Sequence, residues 1–142
     1  MSLFLAIRRA NQAFDRRMAA MLPKGLTSRQ ALILDHLLEH ETLDRQRVIV
    51  ERLGIDRSTL TDMLRRLQKA ELIDRVRNKG DARSYVVTLT PQGREVAAQC
   101  RVILQRIEDE TSAEVAKSAP LDLVRVALDA MRVDPEPVRI AA

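Results

Sequence analysis

Two amphipathic helical patterns meet at a single glycine near the middle of the chain, and this junction constrains the fold more than any other feature. In LDRQRVIVERLGIDRSTLTDMLRRLQKAEL, Gly54 stands where the first helix needs a left-handed residue at its end. Asp56 can cap the second helix. The apolar residues of that second helix follow the spacing i, i+3, i+4 and i+7, at Leu60, Met63, Leu64 and Leu67. Two helices joined by a short glycine turn predict a helix-turn-helix.

The outer face of the second helix is polar and basic. A helix-turn-helix lays its second helix in the major groove of duplex DNA, so we predict a recognition helix here. The expected DNA contacts from this helix are Arg57, Ser58, Thr59, Thr61, Asp62, Arg65 and Arg66. For the two arginines the alternative is a solvated helix face. Asp62 either accepts from a cytosine amino group or, as we favour, tethers Arg65 or Arg66 one turn further on.

A short β-like hairpin follows the second helix. LIDRVR and YVVTL flank a loop from Asn78 to Asp81. A basic hairpin at this place can reach the neighbouring minor groove, into which arginine inserts well. We therefore predict that Arg83 inserts and that Asp81 orients its guanidinium by a charge-assisted hydrogen bond. The remaining contacts predicted from the hairpin are Arg75 and the phosphate-binding pair Arg77 and Lys79.

The excess positive charge lies in this same part of the chain. The 142 residues carry a net charge of +4. From Leu43 to Arg94 there are 12 Lys and Arg against 7 Asp and Glu, a net charge of +5, whereas the other residues have 12 against 13. A polyanionic partner is indicated. Aromatic residues make up only 2%, which disfavours a stacking platform for single-stranded nucleic acid.

The flanking segments predict further helices. One runs from Ser2 to about Met21, and a second begins at Thr27, which forms a capping-box pattern with Gln30. Thr90 and Pro91 predict the start of a long helix, with a break suggested around Glu108–Glu110 and at KSAP. Pro120 opens a last helix, and residues 134–142 are expected to be a frayed tail. The apolar residues expected to point inward on the last helix are Leu121, Val124, Leu128 and Met131.

GDARSYVVTLTPQG resembles the wing signature of the MarR family of winged helix-turn-helix regulators. That signature has an Asp, an Arg two residues later, a strand ending in Leu-Thr, and a Gly three residues after the Thr. The matching residues are Asp81, Arg83, Leu89–Thr90 and Gly93. LTSRQALIL and RSTLTDMLRRLQKAELIDR are similar to the family's second helix and to its recognition helix with the following strand.

The resemblance implies a mainly α fold with a small β-hairpin wing, in which a winged helix-turn-helix domain carries N- and C-terminal dimerisation helices. We expect one domain over residues 1–142, with DNA binding in 26–93 and dimerisation in 1–22 and 94–133. A homodimer would bind a pseudo-palindromic operator on double-stranded DNA, as a repressor released by an unidentified small organic ligand. The family usually has Gly where this chain has Glu71, and often has a second wing Arg where this chain has Ala82.

Three other residues invite sharper hypotheses. Cys100 suggests a thiol-based redox-responsive regulator, but it lies on an apolar stripe where cysteine is usually a small buried residue. His36 and His40 have a spacing that can bind zinc, although a histidine pair on a surface helix is more often solvated, so we predict no metal site.

Other classes of function find less support in the sequence. A winged-helix protein-interaction module without specific DNA reading is the main alternative, and the basic segment argues against it. We find no catalytic constellation, so we expect neither an enzyme nor a cofactor. The single cysteine allows no intrachain disulfide, and no apolar run approaches membrane-spanning length, so a cytoplasmic protein without a membrane partner is expected.

Overall fold

The fold is mainly α with a small β-hairpin wing, as the sequence predicts. The structure is a computed structural model that describes residues 2–40, 42–43 and 46–131. The helices are α1 (Leu3–Met21), α2 (Ser28–His40), α3 (Gln46–Leu53), α4 (Arg57–Lys69), α5 (Pro91–Ala116) and α6 (Leu121–Ala130). The strands are β1 (Thr42–Leu43), β2 (Ile73–Asn78) and β3 (Asp81–Leu89). The chain divides into two compact units, the first ending at Ile107 and the second beginning at Glu108.

The wing is part of a three-stranded antiparallel sheet in the order β1-β3-β2. Strand β1 has no signal in the sequence, because two residues are too few to show a strand alternation. Thr42 pairs with Thr88 on β3, which places β1 on the edge of β3 opposite β2. The central strand of the wing is therefore held from both sides near its C-terminal end.

The core of the first unit is aliphatic and joins the helix-turn-helix to the wing. Helices α2, α3 and α4 each contribute fully buried side chains, and β2 and β3 close the core from the sheet side. Burying each such side chain stabilises the fold by about 1.5–3 kcal/mol. The fully buried large residues are Met18, Ile33, Leu34, Leu37, Ile49, Leu60, Leu64, Leu67, Ile73, Val87 and Ile107.

Local hydrogen bonds fix the helix ends where the sequence predicts them. The Gln30 N–H donates to the Thr27 hydroxyl (3.2 Å) and the Thr27 N–H to Gln30 Oε1 (3.0 Å), which is a capping box. The Thr59 N–H donates to Asp56 Oδ1 (2.8 Å), so Asp56 caps α4. Gly54 has φ of +61°, as required of the residue that ends α3. These contacts set where α2 and α4 begin and where α3 ends.

Helix α4 ends in a Schellman motif built on a glutamate. The Glu71 N–H donates to the Gln68 carbonyl (2.9 Å) and the Leu72 N–H to the Leu67 carbonyl (3.0 Å). Glu71 has φ of +59° and is the only non-glycine residue with positive φ in the part of the chain that the structure describes. The glutamate thus adopts the conformation that glycine usually supplies, at a steric cost from its Cβ.

We expect Glu71→Gly to raise the free energy of unfolding by about 1 kcal/mol, because glycine removes the Cβ strain of the left-handed conformation. Urea denaturation of wild type and variant measures the change. Glu71→Ala is the matched control, since it removes the carboxylate but keeps the Cβ, and it should give no gain. An equal gain from alanine would show that the carboxylate, and not the backbone, carries the cost.

Thr90 connects this strained turn to α5. Its hydroxyl donates to the Glu71 carbonyl (2.7 Å) and accepts from the Gly93 N–H (2.9 Å), so the predicted cap at Thr90 is confirmed. The Thr90 N–H donates to the Leu72 carbonyl (3.1 Å). Helix α5 therefore starts in direct contact with the turn that ends α4.

The second unit differs from the sequence prediction in two respects. The break suggested at Glu108–Glu110 is wrong, because α5 continues to Ala116 and only KSAP interrupts the helix. Glu108 instead accepts from Arg125 (2.9 Å), an ion pair between α5 and α6. The inward face predicted for α6 is only partly found within one chain: Leu121 and Val124 are half-buried, whereas Leu128 and Met131 are exposed. The exposed apolar residues in and just after α6 are Leu123, Val126, Leu128 and Met131.

The frayed tail predicted for residues 134–142 lies outside the described residues. No described helix is both long enough and apolar enough to cross a membrane. The predicted division into DNA-binding and dimerisation regions stays a prediction.

Candidate nucleic-acid interface

The exposed start of α4 is ordered by its own capping hydrogen bonds. Asp56 accepts from the Ser58 hydroxyl (2.5 Å), the Thr59 hydroxyl (2.6 Å) and the Thr59 N–H (2.8 Å). These hydrogen bonds, with that from Ser58 the strongest cause, hold the pKa of the Asp56 carboxyl well below its ordinary value. The cap is therefore a charged acceptor at neutral pH, at the end of the helix where a negative charge is favoured.

The hydroxyl groups of α4 use their protons within the helix. Ser58 and Thr59 donate to Asp56, and Thr61 donates to the Arg57 carbonyl (2.9 Å). A hydroxyl engaged in this way retains only lone pairs for an outside partner, and phosphate oxygens are acceptors as well. The geometry therefore suits amino groups on base edges, or the thymine methyl for the threonines, better than it suits phosphates.

Asp62 organises the two arginines of α4. Its carboxylate lies 3.0 Å from Arg66 Nε and 3.9 Å from an Arg65 terminal nitrogen, so the tethering interpretation is confirmed. Both arginine side chains are about 70% exposed. Pairs this exposed contribute about 0.3–0.5 kcal/mol to stability, so their main effect is to restrict where the guanidinium groups point. Arg57, at the first position of α4, is also exposed.

The tip of the wing contains a bulge that the sequence does not predict. The pair Arg77 and Tyr85 is followed by the pair Asn78 and Asp81, so β3 advances four residues while β2 advances one. The three extra residues, 82–84, have Arg83 at their centre. A bulge of this kind bends its strand and redirects side chains. Arg83 therefore stands on backbone that has left the regular ladder.

Two Asx turns, one formed by Asn78 and one by Asp81, restrain the backbone of this tip. The Gly80 N–H donates to Asn78 Oδ1 (3.0 Å), and the Arg83 N–H donates to Asp81 Oδ1 (3.0 Å). Asp81 thus contacts the main chain of Arg83, a hydrogen bond that differs from the guanidinium contact in the sequence prediction. Lys79, Asp81 and Arg83 are all exposed, so the tip presents two cations on a restrained loop.

Arg75 differs from the other predicted contacts. Its side chain is half-buried, and its guanidinium carbon lies 5.0 Å from the centroid of the Tyr85 ring. Arg77, two residues along the strand, is exposed. The structure therefore places the predicted residues in two exposed groups, one on α4 and one at the wing tip, with Arg75 apart from both.

His36 is buried, so the solvated histidine pair predicted on α2 is only half correct. Its Nδ1 lies 3.1 Å from a terminal nitrogen of Arg52 on α3, and its ring lies 4.4 Å from that of His40. Burial, followed by the nearby His40 and Arg52, lowers the pKa of His36. The neutral ring accepts from Arg52 and joins α2 to α3. The described residues hold no group of three or more side chains suited to a metal ion.

Cys100 is fully buried within the first unit. Burial, with a smaller contribution from Asp35, raises the pKa of the Cys100 thiol to about 11. The reactive form of cysteine is the thiolate, which is scarce at neutral pH for such a group. The surroundings of Cys100 are those of a structural residue.

Two features around α5 had no readable signal in the sequence. Arg101 donates through Nε to Asp35 Oδ1 (2.6 Å) and through a terminal nitrogen to the Asp35 carbonyl (3.0 Å), so these hydrogen bonds join α5 to α2.

An open cavity of about 530 Å³ lies between the end of α1 and α5. Its lining is mainly apolar and comprises Met21, Leu22, Pro23, Gln99, Val102 and Ile103.

Comparison with known proteins points to one family. A sequence model described as "MarR family" matches residues 24–84. An organic hydroperoxide resistance transcriptional regulator from Bacillus subtilis (strain 168) is 43% identical over 69 residues, which is 49% of this chain and 46% of that protein. The chain thus spans less than half the length of this curated relative.

Solved structures match over most of the chain. The PcaV transcriptional regulator from Streptomyces coelicolor, in complex with its natural ligand, is 31% identical with a TM-score of 0.73, covering 89% of this chain and 86% of that one. A mutant MarR from E. coli complexed with operator DNA is 25% identical with a TM-score of 0.70, covering 92% of this chain and 91% of that one.

Proposed function

The chain belongs to the MarR family of transcriptional regulators, and on that premise we propose that it is a homodimeric repressor released from its operator by a small organic ligand. The observation that carries the proposal is the pairing of a basic, capped helix α4 with a wing that presents Arg83 on a bulge. Helix α4 would lie in a major groove, and the wing tip in the adjacent minor groove.

A second copy of the chain would cover apolar surface that one chain leaves exposed. Three apolar residues at the start of α1 are exposed, and so are three on α6: Leu3, Phe4 and Leu5, and Leu123, Val126 and Leu128. Exposed apolar rows on both terminal helices are typical of interfaces. In the dimer, two α4 helices would occupy half-sites about 34–36 Å apart on a pseudo-palindrome, and occupancy would block transcription.

Salt-dependent binding to duplex DNA tests this function. The probe is the duplex upstream of the protein's own coding sequence, with a scrambled duplex as control. We expect tighter binding to the upstream duplex and a logarithmic salt slope of about −0.9 per phosphate contacted. Equal, weak binding to both duplexes at every salt concentration would instead support the alternative of a protein-interaction module.

The cavity between α1 and α5 is our candidate for the ligand site. It is open and mainly apolar, and Gln99 supplies a polar group at its wall. Such a lining suits a small aromatic or aliphatic organic compound. A first panel therefore contains small aromatic and aliphatic organic compounds, and PcaV, which is 31% identical, was solved in complex with its natural ligand. Oxidation of Cys100 is not the proposed trigger, because its thiol is buried and protonated.

We expect Arg65→Ala to relax sequence discrimination, whereas Lys79→Ala should weaken binding to all duplexes and flatten the salt slope. Arg65 is exposed on α4, from which it would reach base edges, while Lys79 is exposed in the wing loop, from which it would reach phosphates. A lost base contact costs about 1–3 kcal/mol at one operator position. Binding of both variants to a library of single-base operator variants measures the difference. An unchanged specificity profile for Arg65→Ala would assign that residue to phosphate contact.

We expect Arg83→Lys to weaken operator binding by about tenfold although it keeps the charge, because the flat guanidinium enters a narrow groove with less loss of hydration. Asp81→Ala should reproduce part of this loss, since Asp81 holds the Arg83 main chain. The two changes should be non-additive in a double-mutant cycle at fixed salt. Wild-type affinity for Arg83→Lys would mean that the wing contributes charge alone.

A further inference from the structure

The Arg75–Tyr85 pair lies at the place where the regular part of the wing ends. Arg77 and Tyr85 form the last regular pair before the bulge that carries Arg83. Arg75 is diagonal to Tyr85 across the two strands, a separation that long and aromatic side chains can bridge. The guanidinium carbon of Arg75 lies 5.0 Å from the Tyr85 ring centroid, within the range of a cation–π contact.

The face of the sheet that carries this pair continues the core. Opposed residues share a face, so Ile73 and Arg75 lie on the same side as Val87 and Leu89. Ile73, Val87 and Leu89 are buried, and Arg75 is half-buried beside them. The stack of Arg75 on Tyr85, a residue that is 36% exposed, borders this core on the side toward the tip.

The hydrogen bonding of Arg75 fits an internal role better than a phosphate contact. Its Nε is buried and has no hydrogen-bond partner within the described part of the chain. A guanidinium that is to grip a phosphate usually presents its N–H groups outward as a fork. Here one edge of the group is turned inward, and its contact is with the Tyr85 ring.

We infer that Arg75 and Tyr85 are positioning residues, which fix the direction of the wing tip by stacking at the base of the bulge. The inference rests on the proposed function and deepens it, since it assigns Arg75 a role in aiming Arg83 and not in contacting DNA. Without the stack, the strand would lose its restraint at the point where the ladder becomes irregular. The tip would then sample more directions in the free protein, so it would lose more conformational entropy when it enters the groove.

The first experiment observes the free protein. Tyr85 is the only tyrosine and the chain has no tryptophan, so tyrosine fluorescence reports this site alone. Arg75→Met, which keeps the length of the side chain but removes the guanidinium, should lower the fluorescence anisotropy of Tyr85 and speed amide hydrogen exchange at residues 78–83. Arg94→Met makes the same replacement at an exposed arginine on α5, outside the hairpin, and as the control it should change neither. Unchanged anisotropy and exchange in Arg75→Met would overturn the inference.

The second experiment measures affinity for the upstream duplex at several salt concentrations. Arg75→Met and Tyr85→Leu should each weaken binding about threefold to tenfold with the wild-type salt slope, and should be non-additive together. Tyr85→Phe keeps the ring and should bind like wild type. Arg75→Lys should weaken binding nearly as much as Arg75→Met, because an ammonium does not stack as a guanidinium does. Arg77→Met, in contrast, should reduce the slope by about 0.9.

The outcomes separate this inference from the proposed function. If Arg75→Lys restores wild-type affinity and Arg75→Met reduces the salt slope, Arg75 is a phosphate contact and the inference is wrong. If the wild-type protein itself shows no salt-dependent duplex binding, the proposed function fails, and the anisotropy and exchange experiment still decides whether the stack holds the tip. The thermal unfolding midpoint of every variant is measured to show that it folds. If Arg75→Met does not fold, the milder variant Arg75→Lys takes its place in both experiments.

Discussion

Gly93→Ala should destabilise the first unit by several kcal/mol and abolish cooperative folding near physiological temperature. A Cβ built on Gly93 would lie 1.7 Å from the Leu72 carbonyl oxygen and 2.7 Å from its carbon, which are main-chain atoms. That carbonyl also accepts from the Thr90 N–H, so it cannot move without breaking the start of α5. Relief of the overlap requires α5 to shift away from the turn after α4, and overpacking of this kind costs about 1–3 kcal/mol or more.

A loss of this size is a large fraction of the stability of an ordinary domain, which is about 5–15 kcal/mol. Thermal and urea unfolding followed by circular dichroism measure it. Gly80→Ala is the matched control, because a Cβ there would meet only the Asn78 side chain at 3.6 Å, and it should change stability by about 0.5 kcal/mol or less. A Gly93→Ala protein that unfolds at the wild-type midpoint would show that α5 does not rest on the Leu72 carbonyl.

Leu128→Asp should dissociate the proposed dimer and reduce operator affinity by about a hundredfold or more, because the advantage of two linked reading heads is lost. Leu128 is 50% exposed in the single chain, so a buried carboxylate is not introduced within the monomer itself. Only a partner that covers this residue would be disturbed by the charge. The variant should therefore keep its helical content while it loses both association and tight binding.

Sedimentation and operator binding at matched concentrations measure the two effects together. Ser118→Asp is the control: Ser118 is exposed between α5 and α6, so it adds the same charge outside the apolar residues of α6. Ser118→Asp should leave both the association of the protein and its operator affinity unchanged. If Leu128→Asp becomes monomeric and yet binds the operator as tightly as wild type, the model of two reading heads is wrong.

Contacts between residues a few positions apart were determined by the sequence itself. The cap of α4 at Asp56, the capping box of Thr27 with Gln30, and the tether from Asp62 to Arg66 each join residues three or four apart. The helical repeat fixes such separations, so residue type and spacing suffice to predict the contact. The MarR wing signature is readable for the same reason, since its residues lie within one short stretch.

The tertiary structure alone decided the contacts between distant segments. Arg101 and Asp35 are 66 residues apart, and nothing in either local pattern indicates that they meet. The same holds for the Leu72 carbonyl against Gly93 and for the burial of His36 beside Arg52. Helix α5 continues through Glu108–Glu110, where Glu108 forms an ion pair with Arg125 of α6 that a local pattern cannot show.

The wing combines both kinds of information. Its strand pattern and its basic residues were readable, and so was the presence of Glu71 where the MarR family usually has glycine. The bulge around Arg83 and the stack of Arg75 on Tyr85 were not, because both depend on the register between two strands. Register is set by how side chains pack on the core face, and a shift of one residue would turn every side chain to the opposite face. The sequence by itself therefore determined which residues are available to meet DNA, and the tertiary structure decided which of them point outward and which hold the others in place.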